Sequence, residues 1–242
     1  MCGRFSLRAR LAELAEHFEV PETELPPFRA RYNIAPTQPV LAVRCRPETT
    51  PPKRETVLLR WGLIPGWAND PVIGSRLINA RAEGLAEKPA FRTAWRRRRC
   101  LIAADGFYEW FDPRRNRGEK AKKPAPAKQP YFIRFRDDRP FAFAGLWETW
   151  KGPDQPAIES CTIITTSANT LLRPIHDRMP VIIPPEAYAR WLDPRLQTHE
   201  DLLPLLVPPE NDILESYPVG PMVNRATNDL PECVEPLKSI YE

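Results

Sequence analysis

The 242-residue chain is poor in glycine, with 10 glycines against 30 prolines. An interior proline costs a helix about 3 kcal/mol, so this balance argues against a protein of long helices. No run approaches the roughly 18 to 20 apolar residues that a membrane-spanning helix needs, which excludes a helical membrane anchor. The opening residues Met1-Cys2-Gly3-Arg4-Phe5-Ser6-Leu7-Arg8 lack the apolar core of a secretion signal, so a cytoplasmic protein is expected. The five cysteines are odd in number and form no CxxC pair and no zinc spacing. Neither a disulfide framework nor a zinc module fits. Cys45, Cys100 and Cys161 lie in or beside apolar, strand-like runs and read as buried small hydrophobes of a reducing compartment. Cys2 has no such surroundings.

The chain also lacks a large excess of one charge, its formal net charge being +4. That sum hides an uneven distribution. From Glu186 to Glu242 eleven acidic residues face four basic ones, a balance of −7, so residues 1–185 carry +11. Within them Asp112–Pro130 carries +5, and Arg96-Arg97-Arg98-Arg99 follows the same sign. A basic body with an acidic tail region suits a polyanion, although a solvated charged face explains the charge equally well.

Along the chain, Ser6 is placed to cap a helix through Leu11, Leu14, Ala15 and Phe18. Short strands are expected at 40–44, 56–61, 100–110, 131–135, 140–150, 160–166, 181–183 and 214–219. Short helices are expected at 89–98, 185–192 and 199–206. Asp112–Pro130, rich in Lys, Arg and Pro, reads as a basic, mobile insertion between two strands. With no repeat and no clean linker, residues 1–242 are expected to form one α+β domain around a curved or barrel-like sheet.

Four residues stand out for chemistry. If Met1 is removed, Cys2 bears an α-amine, with a reference pKa of about 7.7–8.0, and a thiol near 8.5, on adjacent carbons. Such a pair can capture an aldehyde twice, first as an imine and then as a five-membered thiazolidine. On position alone, the plainer reading is an incidental residue after the start codon. Glu109 shares a strand face with Phe107 and Phe111. Burial there would raise its pKa and suit a general acid, while an exposed strand end or an arginine partner would not. His176 lies between Pro174 and Pro180 in a loop that can hold an imidazole in place, for proton transfer or merely as a loop cap. His17 fits a helix surface and His199 an acidic helix start. Asn79 could orient a carbonyl or only satisfy its own turn. Trp67, Trp110 and several arginines could stack bases and neutralise phosphates, whereas Trp61, Trp147 and Trp191 read as core.

Taken together, Met1–Phe5, Tyr32–Gln38 (YNIAPTQ), Trp61–Trp67 (WGLIPGW), Asn79–Glu83 (NARAE), Glu87–Arg92 (EKPAFR), Cys100–Trp110 (CLIAADGFYEW), Phe143–Trp147 (FAGLW), Ser160–Asn169 (SCTIITTSAN) and His176–Ile182 (HDRMPVI) resemble the SRAP (SOS-response-associated peptidase) family, which processes abasic sites in DNA. The match spans nearly the whole chain in family order. The resemblance implies a single SRAP-like domain with a mainly antiparallel sheet core and short flanking helices. It implies a monomeric sensor of abasic sites in single-stranded DNA, including single-strand/double-strand junctions, which needs no metal or organic cofactor. Cys2 would form the thiazolidine cross-link after Met1 removal, Glu109 would shuttle protons, His176 would assist sugar ring opening and cross-link reversal, and Asn79 would orient the sugar or the terminus. Arg4, Arg81 and Arg178 would contact phosphates, Pro39 and Trp67 would form a wedge against a duplex end, and Trp110 would line the groove. A cysteine-type peptidase acting on its own N-terminus is the competing reading. A non-covalent single-strand binder is the third.

Overall fold

The computed structural model describes residues 2–46, 53–114, 127–153 and 155–237. Its elements in chain order are β1 (Phe5–Leu7), α1 (Leu11–Phe18), β2 (Arg31–Ile34), β3 (Pro39–Arg46), β4 (Lys53–Trp61), β5 (Asn79–Arg81), α2 (Arg92–Arg97), β6 (Arg99–Ala104), β7 (Gly106–Phe111), β8 (Gln129–Phe135), β9 (Phe141–Trp150), β10 (Ile158–Ser167), β11 (Arg178–Pro180), β12 (Ile182–Ile183), α3 (Tyr188–Leu192), α4 (His199–Leu202) and β13 (Leu214–Pro218). The helices are short, as the proline content requires.

Strand pairing closes a barrel. β3 pairs with β4, β4 with β10, β10 with β9, β9 with β6, and β6 with β3, so five strands form a ring. Only β4–β10 is parallel among these. β4 leaves β10 after Trp61↔Cys161, and β5 takes its place, also parallel, at Ile163↔Asn79. β11 joins the end of β10 from its other side, pairing Ser167 with Arg178. Closure leaves little room inside. A Cβ on Gly145 would lie 2.8 Å from both Cys100 Sγ and Ile102 Cδ1.

A second sheet, in the order β13-β8-β7-β1-β2, packs on the barrel. Phe5 of β1 meets Trp61 at 5.1 Å and Phe143 at 5.6 Å between ring centres, and Phe107 of β7 meets Phe143 at 5.9 Å. These rings belong to one buried cluster that joins the two sheets. Their edge-to-face geometry adds to a transfer gain of about 1.5–3 kcal/mol per buried side chain.

Several sequence expectations need correction. Ser6 caps no helix. It lies in β1 and donates to Asp105 Oδ1 at 2.6 Å, while α1 starts after Arg10, whose backbone N–H donates to Glu13. The single strand expected at 100–110 is two strands in two sheets, broken at Asp105. That carboxylate accepts from Ser6 Oγ, Arg8 N and Ala9 N, and so ties the break to the chain entering α1. His17 is half-buried, its Nε2 being 2.7 Å from the Tyr188 hydroxyl, and Cys45 is half-buried too. Trp61 and Trp191 are core, but Trp147 is half-buried with the Arg44 guanidinium stacked 4.1 Å from its ring. The arginine run 96–99 is not one charged face, because Arg99 is buried and donates to the carbonyls of Trp95, Trp191 and Leu196. Of the basic insertion at 112–130, residues 115–126 lie outside the described residues. Among the described residues no helix is long and apolar enough to cross a membrane.

Candidate active site

The site forms where the chain enters β1. Phe5 pairs with both Ile34 of β2 and Phe107 of β7, and Tyr108 N–H donates to Arg4 O at 3.0 Å. This antiparallel register sets the residues before Arg4 alongside β7 beyond Tyr108, which is where Glu109 stands. Cys2 is fully buried, with its Sγ 3.7 Å from Arg4 O. Asn79, delivered by β5 at the barrel rim, donates from Nδ2 to Cys2 O at 2.7 Å. Its Oδ1 is buried and has no hydrogen-bond partner among the described residues.

The electrostatics follow from this burial. Desolvation pushes the Cys2 thiol well above the ordinary thiol range, and the nearby Glu109 carboxylate adds to the effect. Glu109 is 2% exposed, and burial raises its carboxyl above the usual range. Asp177, the neighbour of His176, raises it further. Glu109 therefore stands in electrostatic reach of both Cys2 and the His176 loop.

His176 is half-buried. Its backbone N–H donates to Leu172 O at 2.9 Å, and its Nδ1 lies 3.0 Å from Arg178 N and 3.0 Å from Asp177 Oδ1. The arginines differ sharply. Arg81 is exposed on β5 opposite Thr165, and it makes no ion pair among the described residues. Arg178 grips Glu83 with two hydrogen bonds, 2.6 and 3.0 Å long, and also donates to Thr165 O. Arg4 donates to Asn33 Oδ1 at 2.9 Å and Val223 O at 2.6 Å, and burial lowers its pKa. Trp110 donates from its indole to Asn224 Oδ1 at 2.7 Å.

Pro39 and Trp67 belong to other elements, β3 and the turn after β4. Pro39 is exposed where β3 begins, paired with Arg60. Trp67 is 60% exposed in the turn after β4. That turn depends on Gly62, whose φ is +125° and where a Cβ would lie only 2.6 Å from Gly74 O. Neither Pro39 nor Trp67 hydrogen-bonds to Cys2, Asn79, Glu109 or His176. Among the described residues no three His, Cys, Asp or Glu side chains gather as a metal-ligand set.

Residues 1–226 match the family described as SOS response associated peptidase (SRAP). The chain belongs to the SRAP family. This SRAP chain is 41% identical over 241 residues to the abasic site processing protein YoqW of Bacillus subtilis, covering 97% of this chain and 99% of that one. It is 32% identical over 234 residues to the abasic site processing protein HMCES of Xenopus tropicalis, covering 86% of this chain and 66% of that one. A crystal structure of a protein from Bacteroides thetaiotaomicron superposes with a TM-score of 0.79 at 25% identity, over 98% of this chain and all of the other. The SRAP fold thus holds a mixed α+β architecture dominated by antiparallel strands, as the sequence led us to expect.

Three residues of the SRAP site escaped the sequence reading. Glu83 sits inside the NARAE segment, and no local pattern shows that it meets Arg178. Asn33 donates from Nδ2 to the carbonyls of Val223, Arg225 and Asn228, and thus holds the C-terminal segment beside Arg4. Asn224 lies in a tail region that showed only acidic composition.

Proposed function

We propose that this SRAP chain captures abasic sites in single-stranded DNA covalently, through Cys2 after removal of Met1. The observation that carries this reading is the Asn79 amide on the Cys2 carbonyl at 2.7 Å, with buried Glu109 in electrostatic reach of the thiol. The names of the Bacillus and vertebrate relatives, abasic site processing proteins, support the substrate class. The ring-opened sugar offers an aldehyde. The Cys2 amine adds to its carbon, and loss of one water leaves an imine. The sulfur then adds to the imine carbon, its proton passes to the nitrogen, and the thiazolidine closes. Aldehyde and aminothiol thus give thiazolidine and one water. A buried thiol stays protonated, so the amine leads. Glu109, whose carboxyl burial raises above the usual range, supplies the proton that carries off the water and takes one back on reversal.

In the same reading Asn79 orients the reacting terminus, and His176 assists sugar ring opening and cross-link reversal. Arg4, Arg81 and Arg178 contact phosphates near the lesion, Trp110 lines the groove, and Pro39 with Trp67 wedges against an adjacent duplex end. The chain acts as a monomer of one domain, in the cytoplasm, and this chemistry requires no metal or organic cofactor. The test is incubation with a single-stranded oligonucleotide carrying one abasic site. A denaturation-resistant adduct is expected, with the mass of the Met1-less protein plus DNA minus one water. Equal adduct yield from Cys2→Ala overturns the reading.

The family's description as a peptidase supports a second activity, cleavage of the Met1–Cys2 bond by the same residues. Intact-mass measurement decides it. Met1 retained in Glu109→Gln but lost in the wild type, in one expression host, is the expected result. Equal removal in both points to a host aminopeptidase.

A further inference from the structure

We propose that Asp177 is a positioning residue that selects the tautomer of His176 with the proton on Nδ1, leaving the Nε2 lone pair as the base for sugar ring opening. This rests on the abasic-site reading above. Three groups compete for Nδ1. Arg178 N–H lies 3.0 Å away and bonds only a bare nitrogen, which forces the proton onto Nε2. Asp177 Oδ1 at 3.0 Å and Arg178 O at 3.2 Å are acceptors that bond only a protonated Nδ1. The loop thus holds one ring ready for either tautomer, and the charge on Asp177 weights the choice.

The other charges around the ring do not cancel that weight. The Arg178 guanidinium is engaged by Glu83, so its field is largely balanced. Burial raises the Glu109 carboxyl and the Cys2 thiol above their usual ranges, which disfavours their charged forms. Asp177 is a carboxylate in direct contact with Nδ1, at 3.0 Å. With Nδ1–H on Asp177, Nε2 takes the proton of the hemiacetal hydroxyl, the C1′–O4′ bond breaks, and O4′ receives a proton back from Nε2. The ring ends as it began, and no proton is gained or lost. In the other tautomer Nε2 has no lone pair to offer, which is the physical reason a carboxylate behind a catalytic imidazole matters.

The test combines nitrogen-15 NMR of the imidazole with adduct kinetics against pH. In Asp177→Asn the His176 pKa is expected to fall by about 0.5 to 1 unit, and ring shifts should show loss of the Nδ1–H tautomer. The ascending limb of the adduct rate should move to lower pH by the same amount, with a plateau about tenfold lower. Asp177→Glu should restore both, and Asp177→Asn should add nothing in a His176→Gln background. An unchanged ring titration and rate in Asp177→Asn overturns the proposal, as does an undiminished effect in the His176→Gln background. A wild type that forms no adduct instead overturns the abasic-site reading, and the ring titration alone then judges the Asp177–His176 coupling.

Discussion

Asn79 shows how one amide can hold a backbone carbonyl without adding charge. Its Nδ2 holds the Cys2 carbonyl, and its Oδ1 points into buried space with no partner among the described residues. Asn79→Ala removes one hydrogen bond, worth about 1 kcal/mol, so folding should survive. The adduct rate should fall by about 10- to 100-fold, because a loosely held terminus loses its orientation. Single-turnover gels and a thermal melt check the two halves. Glu109 carries the opposite tension. Its folded pKa lies above its unfolded value, so the unfolded chain releases its proton first as pH rises. Stability is therefore greatest below the unfolded value and declines as pH climbs from there through the folded value. Glu109→Gln should remove that decline, melting higher than wild type near pH 8 and losing this advantage toward pH 4, while forming little adduct. At this scale the sequence was legible where chemistry is intrinsic. A cysteine at position 2 and a carboxylate between two phenylalanines carry a chemistry in their residue types, and the joint family resemblance is what outweighs the plainer reading of each. His176 stands out by its proline-bounded setting and Asn79 only weakly, because their meaning lies in a partner 77 residues away or in the geometry of a loop.

Elements reach the site by pairing, and here the reading of the sequence was partial for a definite reason. Alternation of apolar residues gave most strands to within two or three residues. It could not show that 100–110 changes sheets, because both halves are buried and only the carboxylate of Asp105, turned toward β1, marks the break. Nor could it show that the segment after β13 folds back over the entrance. Asp229 there accepts from the backbone N–H groups of Tyr32 and Asn33 at 2.6 and 2.9 Å and pairs with Arg31. These bonds hold its carboxyl below the usual range despite partial burial. Asp229→Ala leaves two backbone donors without their acceptor, which costs about 1–3 kcal/mol. Amide exchange should accelerate in residues 219–237 and around Asn33, while the barrel strands keep their protection. Uniform acceleration throughout the barrel would show instead that the segment is part of the global unfolding unit.

For the whole molecule the question is how a modest net charge serves a polyanion. The +11 of residues 1–185 is partly internal to the fold. Arg44 pairs with Glu55 and Glu159, Arg178 with Glu83, and Arg99 is consumed by carbonyls. Among the described residues Arg81, exposed and without an ion pair, remains for a phosphate backbone. Residues 115–126 alone carry five basic side chains against one acidic. Binding to an intact single strand should therefore weaken with salt, each phosphate contact adding about 0.7 to the slope of log K against log salt. Arg81→Ala should lower that slope by about one contact's worth. Replacing the basic residues of 115–126 with serine should lower it further, if those charges reach the strand. Neither change replaces Cys2, Asn79, Glu109 or His176, so the adduct rate at saturating DNA is expected to stay at the wild-type value. Fluorescence anisotropy across a salt series, paired with saturating single-turnover kinetics, separates the two quantities. A serine variant with an unchanged slope would assign those charges to solubility and leave the barrel rim as the whole of the electrostatic footprint.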